Sequence, residues 1–406
     1  LPIYALQILT LNCISSRLLK HTYVIKDDKM YQSYLKSILK YSSIIFVLFC
    51  ASALSYADES LVPKPFRGDN PESTQVIDYY GLSQFYEKTV LDMGPSSRHN
   101  VSRSVARVGT KLKKKVKVHT DGEGNRFIYE SFDTQKNKAL LTQLKEQLIG
   151  VPTQISLNQL NKDEQLAYWL NLYNISLISE LVNIYPKRNL KDWLSGENSI
   201  LEQKILTVAD IPLSLNDIQF KILKNKFDSD PLIIYGLYQG NIGSPNIRKE
   251  AYTGKHVYKQ LKANAFEFIN SNRGTFPYST GFQISSYYER NKDYLELSNK
   301  DLKMHLLKYA KSDVKNKLNN TSSFRANIDN WHVTDLYGTE RTYGVGAPVE
   351  SWDVNNDEYT LTFDNGPLSL NQKRQLQSLL KIRAVNFGGG SVTVTDLPDQ
   401  IEEVEK

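Results

Sequence analysis

The apolar positions between residues 79 and 309 recur mostly at helical spacing. This spacing predicts helices over about 79–90, 139–148, 163–181, 255–270 and 298–309, and the third of these is the clearest. In the third helix, residues 166, 169, 170, 173, 177 and 181 form one apolar face. We therefore expect that helix to be buried along this face.

Shorter apolar stretches predict strands. Leu206–Val208 reads as a short strand, and Pro231–Tyr238 reads as a buried one. In Lys111–Val118 apolar residues alternate with lysines, which predicts a hairpin strand that returns through residues 126–129. A strip that binds a polyanion is the alternative for this stretch. Between these strands, Ser214 and Asp217 have the spacing of a capping box that opens a further helix.

The order of these elements predicts the fold class. Strands and helices do not alternate regularly, which argues against a doubly wound parallel sheet. We expect an α+β protein with a helix-dominated core, short strands and a small C-terminal extension that contains β-structure. The domains we expect are a leader (1–57) that includes a signal peptide (30–57), a polar tether (58–75), a main domain (76–316) and the extension (317–406), which carries strands and one helix over about 368–382.

The N-terminal region has the three parts of a signal peptide. After Met30, the first methionine, Lys36 and Lys40 precede the apolar run 44–54, and small residues follow up to Ala57. The run is about eleven residues, whereas a membrane-spanning helix needs roughly 18 to 20, so a permanent anchor is the weaker alternative. We expect a periplasmic or secreted protein that has no transmembrane segment after cleavage.

This assignment fixes the cysteine content and the charge of the body. Cys13 and Cys50 are the only cysteines, and both lie in the leader, so the body has no disulfide and no thiol. The whole chain has a formal charge of +6, and the basic leader leaves the body at about +2. A nearly neutral, exported body gives no reason to expect a nucleic-acid partner.

Two places in the body carry candidate binding chemistry. Asn171 and Asn174 lie close together on the central helix beside Tyr173, although asparagine disfavours a helix interior. They either bind neighbouring loop backbone or orient a ligand or catalytic group. The second place is the glycine-punctuated loop 239–248, which carries Ser244 and Arg248 and in which backbone can approach a ligand closely.

The histidines do not indicate a metal or another cofactor. The five histidines of the body form no His-x-x-His or His-Glu-x-x-His pair, and we expect no metal site and no cofactor. His256 is the candidate base nearest in sequence to the Ser244 loop, although it also reads as an exposed residue at a helix start. Ser244 lacks a Gly-x-Ser-x-Gly elbow, which argues against an ordinary serine hydrolase.

Residues about 79–300 resemble the domain of unknown function 547 family. The most specific segment of the resemblance is 166–174, which reads LAYWLNLYN. The other matching pieces occur in the family's order: Thr120-Asp121-Gly122 with Phe127-Ile128-Tyr129, Leu215-Asn216-Asp217-Ile218-Gln219, Ser244-Pro245 with Arg248, and Ala251-Tyr252-Thr253. The resemblance implies little about activity, because the family is named for lacking one; its bacterial members are often exported.

The departures from the family pattern bear on function. Family members typically show Cys-Pro at the place of Ser244-Pro245, a histidine in the stretch 233–235, and a glutamate at the place of Gln219. If the family site uses a thiolate activated by histidine, this chain has lost both groups. The resemblance then implies a binding pseudoenzyme, or a serine variant whose base comes from elsewhere.

These observations leave three functional hypotheses. The first is a non-catalytic or weakly catalytic periplasmic binding module with a polar pocket, in which Arg248 recognises an anion. Its pocket residues are Asn171, Tyr173, Asn174, Gln219, Ser244, Arg248 and Tyr252. The second is an envelope hydrolase or transferase that uses Ser244 as its nucleophile. The third is a structural or assembly protein that contacts an envelope partner. The residue pattern favours the first, with a polar or anionic ligand.

Overall fold

We describe the chain from a computed structural model. It describes residues 59–96, 98, 120, 123–278, 281–321, 323–336, 349–353, 358–362 and 392–396. The chain divides into two compact units, Leu1–Ala57 and Asp58–Lys406, and the first, with the predicted leader, lies outside the described residues. All the described residues belong to the second unit.

The described helices and strands confirm the α+β class. The α-helices are α1 (Tyr80–Thr89), α2 (Gln135–Ile149), α3 (Val151–Gln154), α4 (Lys162–Ile184), α5 (Lys191–Ser195), α6 (Lys224–Lys226), α7 (Val257–Ile269), α8 (Ser286–Arg290), α9 (Lys292–Leu295), α10 (Asn299–Tyr309) and α11 (Ser312–Asn319). A π-helix, Asp217–Leu223, leads into α6, and 3-10 helices lie at Glu59–Leu61, Lys64–Phe66, Tyr129–Phe132, Leu157–Gln159, Ile233–Gly236 and Gly254–His256.

The strands are short and form several small sheets. They are β1 (Gln75–Asp78), β2 (Val90–Leu91), β3 (Arg126–Phe127), β4 (Leu206–Val208), β5 (Ile211–Leu213), β6 (Thr275–Tyr278), β7 (Gly281–Ser285), β8 (Phe324–Ile328), β9 (Val349–Asp353), β10 (Glu358–Thr362) and β11 (Thr393–Asp396). Strands β6, β7 and β8 form one sheet, in which β7 and β8 run parallel. The other pairs, β1 with β11, β2 with β3, β4 with β5 and β9 with β10, are antiparallel.

Helix α4 runs through the centre of the body. It begins at the N-cap Asn161, whose side chain accepts a hydrogen bond from the backbone N–H of Glu164. The sequence predicted burial along one face, but α4 is buried around most of its circumference. The reason is that α2, α7, the π-helix and the 3-10 helix Gly254–His256 all pack against it. A helix enclosed in this way needs an internal partner for every polar side chain it carries.

The segment 332–335 forms isolated β-bridges with Asn189, Asn241 and Phe127. Its backbone N–H groups at Val333 and Thr334 donate to the carbonyls of Arg188 and Gly240, at 2.9 and 2.8 Å, and Phe127 N–H donates to Thr334 O at 2.9 Å. This segment belongs to the expected C-terminal extension, yet it joins backbone from three parts of the main domain. The chain beyond residue 323 therefore contributes to the core.

The predicted strand Pro231–Tyr238 is wrong. Its centre is a 3-10 helix, Ile233–Gly236, that is buried throughout. A short, uninterrupted apolar run reports burial, and periodicity alone does not separate a buried strand from a buried turn of helix. The strand predicted at Leu206–Val208 is confirmed, as is the capping box, in which Ser214 and Asp217 exchange hydrogen bonds. The return strand predicted over 126–129 is present only as β3, which pairs with β2, and residues 129–132 form a 3-10 helix.

The expected polar tether is bound to the body. Val62 and Phe66 are fully buried, and the Phe66 ring lies edge-on to Trp169 at 4.9 Å between centroids. The buried ammonium of Lys226 donates to the carbonyls of Phe66 and Gly68, at 3.0 and 2.7 Å. The sequence-based interpretation failed here because two isolated apolar side chains among prolines give no periodic signal.

Several predictions fall on residues that the structure leaves undescribed. They are the lysine-faced strand 111–118 and its turn, the helix 368–382, and the parts of the C-terminal extension between and beyond the described ranges. In the part of the chain that the structure does describe, no helix combines the length and the apolarity needed to cross a bilayer.

Candidate functional site

The side chain of Asn171 is used to hold backbone. Its Nδ2 donates to the carbonyl of Tyr252 at 2.8 Å, and its Oδ1 accepts from the N–H of the same residue at 2.9 Å. Both residues are buried. One side-chain amide thus replaces the two hydrogen bonds that a neighbouring strand would make. Of the two roles that the sequence allowed for Asn171, this is the binding of neighbouring loop backbone.

Asn174 does the same one turn further along α4. Its Nδ2 donates to Gly236 O at 2.9 Å, and its Oδ1 accepts from Tyr238 N at 3.0 Å. Asn264 of α7 adds a third contact, from its Nδ2 to Tyr235 O at 2.9 Å. The backbone of residues 235–238 is therefore satisfied by side-chain amides of two helices. This explains how a non-repetitive segment can lie in the core without a strand partner.

The geometry at Ser244 does not support a nucleophile. The residue is 2% exposed, and its hydroxyl donates to the carbonyl of Asn241 at 2.8 Å. Among the described residues, no histidine or carboxylate accepts a hydrogen bond from this hydroxyl. His256 lies exposed at the start of α7 and makes no hydrogen bond with Ser244. A nucleophilic serine needs a base in reach and an open approach, and this arrangement gives it neither.

Among the described residues, neither Gln219 nor Tyr173 forms a hydrogen bond with Ser244 or Arg248. Gln219, in the π-helix, donates from Nε2 to Asn291 Oδ1. The Tyr173 ring is fully buried, and its hydroxyl has no hydrogen-bond partner within the described part of the chain. Burial raises the pKa of this phenol above its usual value of 10. Tyr173 lies beside Gln239, the first residue of the loop, whereas Gln219 has its contact outside the loop.

Arg248 and Tyr252 do come together, with Asn264 between them. Arg248 Nη1 donates to Asn264 Oδ1 at 2.8 Å, and Asn264 Nδ2 donates to the Tyr252 hydroxyl at 2.9 Å. The guanidinium lies 5.9 Å from the centroid of the Tyr252 ring. Its Nη2 pairs with Glu250, while its Nε is buried and has no hydrogen-bond partner among the described residues. Burial raises the pKa of Glu250, but Arg248 outweighs this effect, and the net pKa is lowered.

A second polar cluster was missed by the sequence analysis. The hydroxyl of Tyr185, just after α4, lies 3.1 Å from Glu130 Oε1 and 3.0 Å from Asp335 Oδ2. A phenol has one proton, so it donates to one of the two carboxylates at a time. Burial, followed by the charge of Glu130, raises the pKa of Tyr185 above its usual range. The three residues are far apart in sequence, and no local pattern marks them.

A third cluster joins the 3-10 helix 233–236 to α10. His305 Nε2 lies 3.0 Å from the Tyr235 hydroxyl, which also lies 3.2 Å from the hydroxyl of Tyr288. Burial, with a smaller contribution from Lys308, lowers the pKa of His305 to about 4. The imidazole is therefore neutral at physiological pH.

The described residues contain no group of three or more histidine, cysteine, aspartate or glutamate side chains that could hold a metal ion. Within that part of the chain, the polar side chains of the core mostly bind one another or the backbone. They define an α+β protein built on a buried helix, whose asparagines hold two irregular segments in place.

Residues 157–269 match the model of the family described as "Protein of unknown function, DUF547". The family assignment made from the sequence is thereby confirmed over this segment, which includes α4, the Ser244 loop and α7. No curated protein matches the chain. No solved structure matches it either.

Proposed function

We propose that this chain is an exported binding protein without catalytic activity, in which Arg248 recognises an anionic ligand. The observation that carries the proposal is the state of Ser244: its hydroxyl is buried and donates to the Asn241 carbonyl. The resemblance places the family's cysteine at this position. The hydrogen bond gives the serine a structural role in which it stabilises the turn of the loop.

The position of Arg248 supports its role in recognition. Its side chain is 18% exposed, and its guanidinium is held in place by Asn264 and the ring of Tyr252. Glu250, whose side chain is 53% exposed, occupies one edge of the guanidinium. A carboxylate or phosphate of a ligand has the same chemistry as Glu250 and can replace it, because a guanidinium fork matches both groups.

Binding assays on the full chain test this proposal, with citrate and inorganic phosphate as probes in calorimetry. Arg248→Ala should weaken binding about tenfold or more, since a hydrogen bond to a charged group contributes roughly 1.5–3 kcal/mol. Arg188→Ala, a substitution of an exposed arginine elsewhere, is the matched control and should leave binding unchanged.

Two results would contradict the proposal. One is equal affinity in Arg248→Ala and in the control, which would favour a structural or assembly role. The other is turnover of a peptide or glycan substrate that disappears in Ser244→Ala, which would restore the enzyme hypothesis.

The proposed location is the periplasm or the medium after signal-peptide cleavage, and its support is the order of basic, apolar and small residues from 30 to 57. Expression in a Gram-negative host followed by fractionation and N-terminal sequencing tests it. We expect a processed chain that begins at Asp58; an unprocessed chain in the cytoplasm would rule the location out.

A further inference from the structure

We propose that one face of α7 and α10 docks on the surface of a bilayer that contains anionic lipids. This face, called here the basic face, consists of two rows of exposed side chains: Lys255, Lys259, Lys262 and Phe266 in one row, and Lys300, Met304, Lys308 and Lys311 in the other. It lies outside the residues that the proposed function uses.

The first row follows one side of α7. Its members are spaced four, three and four residues apart, starting from the 3-10 turn just before the helix, and this spacing places them on one side of a helix. All four side chains are exposed, whereas Leu261, Ala265 and Phe268 on the opposite side are buried.

The second row follows α10 in the same way. Its members are spaced four, four and three residues apart and end just after the helix, at Lys311. All four are exposed, and Leu306 on the opposite side is buried. Met304 is 60% exposed, which is unusual for a large apolar side chain.

The two rows belong to one surface. Helices α7 and α10 pack side by side, and their C-terminal ends meet where Asn270 Nδ2 donates to Tyr309 O at 2.9 Å. The ammonium of Lys311 lies 5.5 Å from the centroid of the Phe266 ring and so bridges the rows. The basic face therefore presents six lysines together with two apolar side chains.

The positive charge of this face is largely uncompensated within the protein. None of its six lysines forms an ion pair with a described carboxylate. Two acidic residues lie nearby: Asp301 binds the N-cap Ser298, and the partly buried Asp230 accepts a hydrogen bond from the N–H of Leu232. Asp230 is close enough to Lys262 and Lys308 for their charges to act on it, so it offsets part of the charge of these two lysines. An unpaired basic surface of this kind attracts a polyanion.

The apolar side chains identify the kind of polyanion. The large hydrophobic residues that are exposed in the described chain are Leu61, Tyr80, Phe266, Tyr278 and Met304, and two of the five lie among these lysines. At a bilayer surface, lysines bind phosphate headgroups while apolar side chains enter the boundary between headgroups and acyl chains. A nucleic acid offers no such apolar layer, so we assign the face to anionic lipid.

Vesicle flotation of the full chain tests the proposal. We expect binding to vesicles of phosphatidylcholine with about 30% phosphatidylglycerol at about 50 mM salt, and at least roughly tenfold weaker binding by the variant Lys259→Gln/Lys262→Gln/Lys308→Gln/Lys311→Gln. The variant Lys64→Gln/Lys136→Gln/Lys187→Gln/Lys191→Gln removes the same charge from other exposed sites and should bind like the wild type.

A local probe separates docking by this face from binding through the apolar run 44–54. In a Cys13→Ser/Cys50→Ser background, a polarity-sensitive fluorophore is attached at Phe266→Cys, and in a second sample at Tyr80→Cys, since Tyr80 is also exposed. Vesicles should shift the emission to the blue at residue 266 and leave it unchanged at residue 80.

Either of two outcomes would overturn the proposal. The first is equal binding by the two lysine variants, or an equal response of the two fluorophores. The second is a chain that binds a DNA oligonucleotide through the same lysines but does not bind the vesicles, which would assign the face to nucleic acid.

Discussion

The side-chain amide of Asn174 binds the backbone on both sides of Leu237, through Gly236 O and Tyr238 N, at 2.9 and 3.0 Å. Leu237 itself is fully buried. The segment is therefore held by its main chain from α4 while its apolar side chains fill the core. This relationship explains the asparagine in the middle of a buried helix, a position that intrinsic preference disfavours.

Asn174→Ala tests this explanation. It leaves a buried carbonyl and a buried N–H without partners, so the free energy of unfolding should fall by about 2–4 kcal/mol. Urea denaturation measures the change, and the exposed Asn198→Ala is the control, with an expected effect within about 0.5 kcal/mol. If Asn174→Ala lowers the free energy of unfolding no more than the control does, the two hydrogen bonds contribute little.

Gly240→Ala should destabilise the loop for two reasons, backbone strain and a steric collision. The matched variant Gly68→Ala has only the first and so separates the two. Gly240 has a φ of +77°, and a Cβ added there would collide with Leu181 Cδ1. Gly68 has a similar φ of +73°, but the nearest atom to an added Cβ, Asn158 Cβ, is 3.9 Å away. Gly68→Ala therefore carries only the backbone cost, of about 1–3 kcal/mol. The midpoint temperature of thermal unfolding should fall clearly further in Gly240→Ala than in Gly68→Ala. Equal falls in the two variants would contradict the collision with Leu181.

Glu164 should make the protein less stable as pH rises. Burial raises the pKa of this carboxyl to about 7, although the N–H of Ile77 donates to it at 3.1 Å. Because the folded state holds the proton more tightly than the unfolded state, the stabilisation is complete below about pH 4.5 and is lost as pH rises through 7. We expect a loss on the order of 2–3 kcal/mol from this group. In Glu164→Gln this pH dependence should disappear, whereas the exposed Glu202→Gln should retain it.

His305 should make the protein less stable as pH falls. Its pKa of about 4 lies below the usual 6.5, so the folded state favours the neutral ring. The stabilisation is present above pH 6.5 and is lost as pH falls through 4, on the order of 3 kcal/mol. His305→Phe keeps an aromatic ring against Tyr235 and should remove the acid-dependent part of the unfolding curve. The surface variant His256→Phe is the control, and an unchanged acid transition in His305→Phe would refute the assignment.

The sequence predicted the helices well because their apolar positions repeat at a fixed spacing. Helix α4 was found from that spacing, and Ser298 was found as the start of α10 because a cap is a local signal. The 3-10 helix 233–236 was missed because its partners are amides from α4 and α7, which lie far away in the chain.

The candidate site was harder to predict for the same reason. Asn171, Tyr252 and Arg248 were singled out and do lie near one another, whereas Gln219 binds Asn291, away from them. The cluster of Tyr185, Glu130 and Asp335 unites residues from three distant segments, and only the folded chain brings them together. Spacing in sequence could not have revealed it.

The contacts of Asn171, Asn174 and Asn264 with residues 235–252 also bear on how this chain could come to differ from its relatives. Apart from the bonds of Asn264 with the Tyr252 hydroxyl and the Arg248 guanidinium, these hydrogen bonds go to main-chain atoms, and every amino acid except proline supplies the same N–H and carbonyl. These main-chain hydrogen bonds therefore do not depend on which side chains residues such as Leu237 and Tyr238 carry, although Gly240 has no room for a Cβ. A substitution at position 244 or within 233–235 that fits the space available would leave these bonds in place. In such a molecule, a reactive side chain can be lost without loss of the fold.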